Sequence, residues 1–577
     1  MSRFERRTDN QTILEMLREK HFQRILKTNE SSGKVELLMK KIFALALALM
    51  LLLTNAALAV ELSPVGEIPL AAETIHFTVG ISRNPAKVEN YDTNGMTLRL
   101  EKDLNVELEF IEYPLDGNEF LQKVELQIMA GGEELPDIIM NGLGGLGNLV
   151  KYGQMGMIIP TTEYYQTQTH YLDESLAIAN LKKEDLLPYV TCYDGEIYGM
   201  FRYHGFLNNS LSGSRVVVFK PWLDKLGMEM PTTTDEFAEM LRRFKNEDPN
   251  GNGIADEIPL MGRKTNYESN FVRYLMNPFI YTQENYFIKN EDGTIGFVAN
   301  RPEWKEGLKW IKSLMDEGLL SPLTITQDNA QLAAVMSEEP TKVGASPILS
   351  AGNLPANDTR RGDYIPLNPL TGPEGQLNHQ WVEQIPHIQM VITKNCENPE
   401  AAFRLGDYMC SEVLSIWNRY GEEGVDWVQP DENTLGTFET LGYPPAISVQ
   451  QSYGTVQNSY WDQIGPYVLT DRITAGQGVA PENAAINIAM AMGKNIKAEL
   501  DVATPIINGL IFNEEEQEIV TEFQSTINTY VINSFSEFIT GVRDIDAEWD
   551  KYVNEFNKMG LDTYMEAINS CYSRMFN

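Results

Sequence analysis

Residues 75–140 begin with the letters IHFTV and end with LPDIIM, and between these strand-like ends the stretch alternates helical and extended patterns. Residues 93–104, with Leu98, Leu100 and Leu104, can form a helix, and apolar residues alternate with glutamates in 106–110 as in a half-buried strand. A second helical pattern follows at 120–128, before two glycines end it. This order of strand, helix, strand, helix and strand predicts an open α/β layer.

A second α/β region begins after residue 215. Residues 216–219 form an apolar strand pattern, and the next helix is predicted to start at Thr233, with Glu236 completing a capping box. A further amphipathic helix is predicted near 304–315, and the last hundred residues read as mostly helical. The chain therefore has material for two α/β layers and a helical C-terminal region.

A loop at 248–257 carries oxygen-bearing side chains at alternate positions around two glycines. This spacing is typical of calcium loops, in which a hard cation takes about six to eight oxygens and a glycine supplies the sharp turn. An EF-hand has a glutamate at position 12, where this loop has Pro259, so Glu257 at position 10 would supply the last ligand. The predicted ligands of a structural Ca²⁺ ion are Asp248, Asn250, Asn252, the carbonyl of Ile254, Asp256 and Glu257. The alternative is a metal-free turn, because Asn and Gly also dominate turns for backbone reasons.

Composition narrows the class of partner. The 577-residue chain has a formal net charge of −35 at pH 7, which argues against nucleic acid and against anionic membrane surfaces. Its four cysteines are scattered, which argues against a dense disulfide framework and a CxxC metal site. One or two disulfides and buried free thiols stay equally open.

An apolar run near the beginning of the chain predicts export. Residues 42–53 are almost entirely apolar, follow two lysines and precede Ala-Leu-Ala at 57–59. This is the pattern of a secretory signal peptide at 39–59, and the run is too short for a membrane anchor across ~30 Å of hydrocarbon. Residues 1–38 are interpreted as an upstream extension, either from a start codon assigned too early or as an unusual n-region. We expect a mature chain from Val60, extracellular or at the cell surface, without a nearby cysteine for lipid attachment.

No motif marks a catalytic centre. The sequence lacks G-x-S-x-G, H-E-x-x-H and a P-loop, and its six histidines are dispersed. A glycoside hydrolase needs two carboxylates about 5–10 Å apart across a cleft, and no motif among the 81 acidic residues indicates such a pair. A secreted carbohydrate-active enzyme, hydrolase or lyase, therefore stays the alternative to a binding protein.

Several short motifs follow one another along the mature chain. They are the segment 121–140 with its Gly-Gly-x-x-Leu-Pro-Asp-Ile-Ile, 194–199 (DGEIYG), 222–227, 231–233, the loop 248–259, 306–319, 392–401 and 421–427. In this order the chain resembles the extracellular solute-binding proteins of ABC importers, in the subgroup that takes up oligosaccharides. Alginate-binding members are similar in the loop and bind calcium there as a structural ion, which implies the same six ligands here, Glu257 included.

The resemblance implies an α/β, two-lobe periplasmic-binding-protein fold with an interlobe ligand cleft and a helical C-terminal region. Lobe 1 is expected from 60–214 with 342–385, and lobe 2 from 215–341 with 386–577. The resemblance further implies a protein that is not an enzyme, that closes on an oligosaccharide by hinge motion and that delivers it to ABC transporter permease subunits. We expect a monomer.

Aromatic residues in loop-like contexts are the predicted ligand contacts, because sugars stack on rings and hydrogen-bond to polar groups beside them. They are Trp381, Tyr203, Trp427 and Trp461. For each of these rings, the alternative to a ligand contact is packing in an interface. Arg202 is predicted to meet the carboxylate of an acidic sugar in a bidentate pair or, equally, to make an interlobe salt bridge.

Overall fold

The computed structural model describes residues 60–205, 216–263, 271–283, 285–347, 358–381, 384–436, 438–439, 442–450, 456–479, 503–505 and 507–576. The predicted upstream extension and signal peptide lie outside these residues. Leu62–Asn577 forms one compact unit. Among the described residues, no helix combines the length and the apolar character needed to cross a membrane.

A six-stranded sheet forms the centre of the first α/β layer. Its strands are β1 (Ile75–Ser82), β2 (Val106–Tyr113), β3 (Ile138–Met140), β4 (Met200–His204), β12 (His387–Ile392) and β16 (Val468–Leu469). They lie in the order β2-β1-β3-β12-β4-β16, and β12 runs antiparallel to its two neighbours while the other pairs are parallel. β1 buries Ile75, Phe77, Val79 and Ile81 on one face, as the two-residue period of a strand requires. The β-α-β order predicted for 75–140 is confirmed.

The helices of this layer form where the sequence supplies caps and apolar stripes. They are α1 (Gly95–Leu104), α2 (Gly117–Met129), α3 (Leu146–Gln154), α4 (Thr162–Thr167), α5 (Tyr171–Ile178), α6 (Lys183–Leu186), α12 (Pro399–Met409), α13 (Glu412–Tyr420) and α14 (Asp471–Thr474). α1 begins after the cap residue Asn94, whose side chain accepts a backbone N–H of the first turn, and it ends at Asn105 in the left-handed conformation. α2 buries Phe120, Val124 and Ile128, the stripe that the sequence predicts.

A four-stranded sheet forms the centre of the second layer. Its strands are β5 (Val217–Phe219), β6 (Ile258–Leu260), β9 (Val343–Ser346) and β10 (Tyr364–Pro366), in the order β10-β5-β9-β6. The helices are α7 (Lys220–Leu226), α8 (Thr234–Asn246), α9 (Phe271–Met276), α10 (Pro302–Asp316) and α11 (Asn329–Met336). The predicted capping box of α8 is confirmed, since Thr233 Oγ1 accepts the N–H of Glu236 and the Glu236 carboxylate accepts the N–H of Thr233, both at 3.2 Å.

The chain ends in three helices that belong with the second layer. They are α15 (Glu514–Ile539), α16 (Ile545–Lys558) and α17 (Leu561–Phe576). Their apolar faces join the core around the second sheet, where Phe535 of α15 meets Trp304 of α10 with ring centroids 6.4 Å apart. The predicted helical C-terminal region is confirmed.

The remaining strands form small ladders. β7 (Phe287–Lys289) pairs with β8 (Ile295–Phe297), β11 (His379–Trp381) pairs with β18 (Ala503–Pro505), and a four-stranded ladder joins β13 (Trp427–Val428), β14 (Leu435–Gly436), β15 (Ile447–Val449) and β17 (Gln477–Val479). The main chain passes between the two layers after β4, after β10 and after β17. β11 and β18 lie in the second and third of these crossovers and hydrogen-bond to each other in parallel.

The crossovers lie at other points than the sequence predicts. Lobe 1 was expected to include 342–385, yet β9 and β10 pair with β5 in the second sheet. Lobe 2 was expected to include 386–577, yet β12 and β16 complete the first sheet. Turn residues mark where a strand ends but not which sheet the strand joins, because strand pairing is set by contacts distant in sequence.

The four cysteines are free thiols. Cys192, Cys410 and Cys571 are buried, and Cys396 is partly exposed. Burial raises the pKa of Cys192 to about 12 and that of Cys571 to about 11. The sequence leaves both disulfides and free thiols open, and the structure has free thiols. They act as small packing groups.

Candidate functional site

The carboxyl ends of β1, β3 and β4 lie at one edge of the first sheet, because these strands run parallel. β12 begins at this edge, and the first crossover to the second layer leaves from it after β4. In open α/β sheets, ligands bind outside the carboxyl ends of the strands. Polar and charged side chains gather here, and we call them the edge cluster: Arg202, His204, Arg419, Gln463 and Tyr467.

Tyr467 forms the centre of the edge cluster. Its ring is fully buried, and its hydroxyl accepts a hydrogen bond from Arg202 Nη1 at 3.2 Å and lies 3.1 Å from His204 Nδ1. A hydroxyl that accepts from Arg202 has its own proton to donate, so we assign Nδ1 of His204 as the acceptor. The guanidinium carbon of Arg202 also lies 5.8 Å from the ring centroid of Tyr467. These contacts fix the directions of Arg202 and His204, which share one face of β4.

The second arginine of the edge cluster comes from α13. Arg419 is buried, donates to Gln463 Oε1, and places its guanidinium carbon 5.2 Å from the ring centroid of Tyr420. Gln463 belongs to a tight turn in which it and Asp462 both have positive φ, 65° and 53°. Asn418 holds this turn by accepting the N–H of Gln463 at 3.1 Å and by donating to a carbonyl of the turn at 2.9 Å. Strained backbone of this kind persists where its surroundings over-determine it, often at functional sites.

The charge of the edge cluster is positive. Burial lowers the pKa of His204 well below its usual value, and the charges of Arg419 and Arg202 lower it further. His204 is therefore neutral at physiological pH. The cluster presents two arginines in a protein whose formal net charge is −35.

Two of the predicted ligand contacts lie in the packed interior. Trp461 is 0% exposed, its indole N–H donates to Thr97 Oγ1 at 2.9 Å, and its ring meets Phe110 edge-on at 5.6 Å. Trp427 is 5% exposed, and its indole N–H donates to the carbonyl of Gly421 at 3.1 Å. A ring covered on both faces has no surface on which a sugar can stack. The structure therefore places both tryptophans as packing residues rather than as open platforms.

The other two aromatic residues lie near the crossovers. Tyr203 is half-buried and follows Arg202 on β4, so it points to the opposite face of the strand. Trp381 is the last residue of β11 and the register partner of Pro505, and its side chain lies outside the described part of the structure. Both stay predicted ligand contacts. His204, Arg419, Gln463 and Tyr467 are not among the residues predicted from the sequence, and the one local signal for them is that His204 stands two residues after Arg202.

A cavity of about 220 Å³ lies beside the third crossover, against the core of the second layer. Its lining includes the amide or aromatic side chains of Gln283, Asn285, Phe287, Asn508, Phe512 and Gln524. Gln283 is 2% exposed; its Oε1 accepts the N–H of Ile507 at 2.7 Å, and its Nε2 is buried without a partner among the described residues. Every residue that lines the cavity is uncharged. Amides beside aromatic rings are groups that recognise sugar hydroxyls and sugar faces.

The loop 248–257 connects α8 to β6 and closes on itself through its own polar groups. The Asp248 carboxylate accepts the backbone N–H groups of three following residues at 2.9–3.1 Å. The side-chain amides of Asn250 and Asn252 both donate to Asp256 Oδ1, at 3.1 and 3.0 Å. The side chains of Asn250, Asn252 and Asp256 therefore meet, at three of the positions that the sequence predicts as calcium ligands.

Glu257 supplies the test of whether this loop fits calcium. Both of its carboxylate oxygens are buried, and among the described residues neither accepts a hydrogen bond of normal distance and angle. Burial raises the pKa of Glu257, and the charges of Asp248 and Asp256 also raise it, while backbone N–H groups oppose this shift in part. Among the described residues, no group of three or more His, Cys, Asp or Glu side chains is placed to hold a metal by itself, so the fit needs the Asn and carbonyl oxygens too. The donor set of the loop, three carboxylates of which one is buried together with Asn and carbonyl oxygens of the same ten residues, is chemically of the kind that Ca²⁺ prefers.

The loop lies away from the crossovers. It precedes the amino end of β6, whereas the carboxyl ends of β6 and β9 lie at the opposite edge of the second sheet. Lys225 of α7 donates to the carbonyls of Asp248 and Pro249 at 3.1 and 2.9 Å, and Lys342 pairs with Asp256 at 3.4 Å. The loop is thus tied to its own layer and joins the end of α8 to β6.

Sequence comparison places this chain among known proteins. The family described as bacterial extracellular solute-binding protein matches residues 98–413, more than half of the chain. The chain is 27% identical over 499 residues to the fructooligosaccharide ABC transporter substrate-binding protein FusA of Streptococcus pneumoniae serotype 4 (strain ATCC BAA-334 / TIGR4). That match covers 82% of this chain and 86% of FusA.

Solved structures resemble the described fold. The S. pneumoniae FusA structure in complex with kestose matches with a TM-score of 0.69 at 25% identity, covering 87% of this chain and 99% of that one. An extracellular solute-binding protein from Bifidobacterium longum subsp. infantis matches with a TM-score of 0.71 at 20% identity, again over 87% of this chain and 99% of that one. The likeness thus extends over most of this chain.

Proposed function

The chain belongs to the bacterial extracellular solute-binding protein family, and on that premise we propose that it is the substrate-binding component of an ABC importer. The predicted two-lobe α/β fold is confirmed by its likeness to the two solved structures. In our proposal an oligosaccharide is captured between the two α/β layers and passed to permease subunits in the membrane. The family is one of binding proteins, so the carbohydrate-active enzyme that the sequence leaves open is not retained.

The observation that carries the proposal is the position of the edge cluster. It lies at the carboxyl edge of the first sheet, where the chain leaves for the second layer. A ligand bound between the layers at this edge would be buried by closure of one layer on the other. Such a ligand shifts the open and closed populations only by its preference for the closed state, and no covalent step is needed. Arg202, Tyr203 and Trp381 are the proposed ligand contacts.

Two features support a saccharide as the captured solute. FusA, which matches most of this chain, is named for fructooligosaccharides. The cavity beside the third crossover combines uncharged amide side chains with the rings of Phe287 and Phe512. This combination offers hydrogen bonds to hydroxyl groups and apolar faces to sugar rings without a net charge.

The loop 248–257 is proposed to hold one structural Ca²⁺ ion. Its ligands would be Asp248, Asn250, Asn252, the carbonyl of Ile254, Asp256 and Glu257. A bound divalent cation would neutralise the three carboxylates and give the orphaned oxygens of Glu257 a partner. The loop then ties α8 to β6, and the edge cluster determines which solute is bound.

Export of the protein is part of the same proposal. A signal peptide at 39–59 would direct the mature chain, beginning near Val60, to the outside of the cell, where it acts as a monomer at the surface or in solution. N-terminal sequencing of the protein recovered outside the cells tests this point. A first residue other than one close to Val60 would contradict the predicted cleavage site.

A thermal-shift screen of residues 60–577 against neutral and charged oligosaccharides tests the proposed function. A ligand that binds the native state raises the free energy of unfolding by RT ln(1 + [L]/Kd), about 2.7 kcal/mol when its concentration is 100-fold above Kd. We expect a saturable rise in Tm with at least one oligosaccharide. The same mixtures are then assayed for new reducing ends, and we expect none. A panel without any stabilising oligosaccharide, or steady release of reducing ends, would overturn the proposal.

A further inference from the structure

Arg202 differs in its partners from most of the other arginines in the described part of the chain. Arg83, for example, forms an ion pair with Glu112 at 2.6 Å, and Arg404 forms one with Glu400 at 2.7 Å. Arg202 instead contacts the hydroxyl and the ring of Tyr467, and within the described residues no carboxylate lies at ion-pair distance from it. A guanidinium that is held in place without a counter-charge is suited to bind an oxyanion.

The surroundings of Arg202 add to the positive charge. Arg419 brings a second guanidinium to the same cluster. Of the acids near this edge, Asp462 is ion-paired with Lys87 at 3.1 Å, and Asp471 follows β16. Two arginines, one lysine and two aspartates leave one net positive charge. These five described side chains are therefore positive in sum, although the whole protein carries a formal charge of −35.

Tyr467 leaves most of the Arg202 guanidinium available. A guanidinium has about five N–H donors in a planar fork, and Tyr467 accepts from Nη1. Arg202 is half-buried, and none of its nitrogen atoms is buried without a partner, so the other donors face solvent. Such a fork binds two oxygens of a carboxylate or a sulfate at once, which a single ammonium group cannot do.

We infer that the edge cluster recognises an anionic group, a carboxylate or a sulfate ester, on the captured oligosaccharide, with Arg202 as the residue that contacts it. This inference rests on the proposed function and narrows its substrate class to acidic saccharides. It also assigns Arg202 to the ligand rather than to a salt bridge between the lobes, the alternative that the sequence leaves open.

Isothermal titration calorimetry with matched neutral and anionic oligosaccharides tests the inference on residues 60–577. The probes are oligogalacturonides, their methyl esters, which mask the charge on the same backbone, sulfated oligosaccharides and neutral fructooligosaccharides. We expect either the carboxylated or the sulfated probes to bind at least about tenfold more tightly than any neutral probe, and this affinity to fall as ionic strength rises. Equal or tighter binding of a neutral probe would overturn the inference and leave the proposed function intact. If none of the probes binds, both the inference and the proposed function fail.

Variants of Arg202 separate its two roles. Arg202→Gln should weaken the anionic probe that binds by about 10- to 100-fold and should weaken a neutral probe far less, because it removes a charged hydrogen-bond donor whose strongest partner is the anion. Arg202→Lys keeps the charge but lacks the planar fork, so its affinity for the anionic probe should lie between those of Arg202→Gln and wild type.

Arg83→Gln is the matched control. It makes the same change just beyond the carboxyl end of β1, at an arginine that already has a carboxylate partner. A salt bridge between the lobes would make Arg202→Gln weaken neutral and anionic ligands alike, and that result would overturn the inference. Thermal unfolding without ligand checks that each variant folds.

Discussion

The loop 248–257 and the edge cluster are both polar, yet they are assembled in opposite ways. The loop takes its groups from ten consecutive residues, whereas the edge cluster joins Arg202 to Tyr467 across 265 positions. The loop gathers negative charge around the buried carboxylate of Glu257, and the cluster gathers positive charge around the neutral ring of His204. The proposed cation site is thus assembled by local spacing, and the proposed solute site by strand pairing.

This contrast makes the two regions separable by experiment. The loop lies at the amino end of β6 in the second layer, and the cluster lies at the carboxyl edge of the first sheet. Neither the proposed calcium binding by the loop nor the proposed solute binding by the edge cluster needs a contact between the two regions. Changes in the loop should therefore alter stability and its calcium dependence, whereas changes in the cluster should alter binding. Changes in the packing behind the cluster should alter stability alone.

The largest expected effect comes from Trp461, which lies behind the edge cluster. Trp461→Ala should lower the free energy of unfolding by about 3–5 kcal/mol, because it empties a fully buried site and removes the partner of Thr97. Denaturant unfolding measures this loss. Trp461→Phe is the control that keeps an aromatic ring, and it should cost less and leave the Kd for the oligosaccharide unchanged. If the phenylalanine variant kept its stability and lost the ligand, Trp461 would be a binding residue and the contrast drawn above would fail.

Removal of two loop ligands is expected to have the next largest effect. Asp248→Ala combined with Asp256→Ala should abolish the calcium-dependent part of stability, about 2.7 kcal/mol when calcium exceeds its Kd by 100-fold. Thermal unfolding in calcium and in chelator measures this difference, and the Kd for the saccharide should not change. The control is Asp292→Ala with Asp431→Ala, two turn aspartates that accept hydrogen bonds from nearby residues of their own turns. Equal calcium dependence in both double variants would contradict the calcium assignment.

The sequence predicts the parts of this molecule whose causes are local. The apolar stripe of α2, the capping box of α8 and the alternating oxygens of 248–257 each lie within about a dozen residues, so spacing alone specifies them. The same reasoning gives the helical C-terminal region. These predictions need no knowledge of which elements pack together.

Sheet membership and the edge cluster could not be predicted, because both depend on pairing between distant segments. β12 and β16 join the first sheet from positions far along the chain, and nothing near Tyr467 indicates that Arg202 donates to it. Trp461 was misjudged because its neighbours are polar. Their polarity serves hydrogen bonds to other segments, such as those from Asn458 to Thr93 and from Asn84 to Asp462, while the indole itself enters the core.

A smaller effect, with opposite signs in two buffers, is expected for Glu257→Gln. In chelator the substitution should raise stability at neutral pH, since the folded state holds this carboxylate buried beside Asp248 and Asp256 and raises its pKa. In calcium it should lower the affinity for the ion about tenfold, or ~1.4 kcal/mol, because a charged ligand is lost. Thermal unfolding in each buffer checks both signs. An unchanged calcium affinity would contradict the role of Glu257 as the last calcium ligand, and a variant less stable than wild type in chelator would contradict the cost assigned to its buried charge.

The smallest effect concerns pH and the edge cluster. The pKa of His204 is lowered on folding by burial and by Arg419 and Arg202, so below about pH 6.5 the unfolded chain binds a proton that the folded chain does not. The stability tied to a neutral His204 is therefore complete above that pH and is lost as pH falls. For a folded ring that stays neutral, the loss reaches about 0.8 kcal/mol at pH 6.

His204→Gln should flatten this part of the pH profile, as measured by denaturant unfolding between pH 8 and pH 6. His76→Gln, the same substitution at an exposed histidine on β1, serves as the control for the chemical change. A wild-type slope retained in His204→Gln would mean that the ring is protonated in the fold, and the cluster would then carry more positive charge than its two arginines supply.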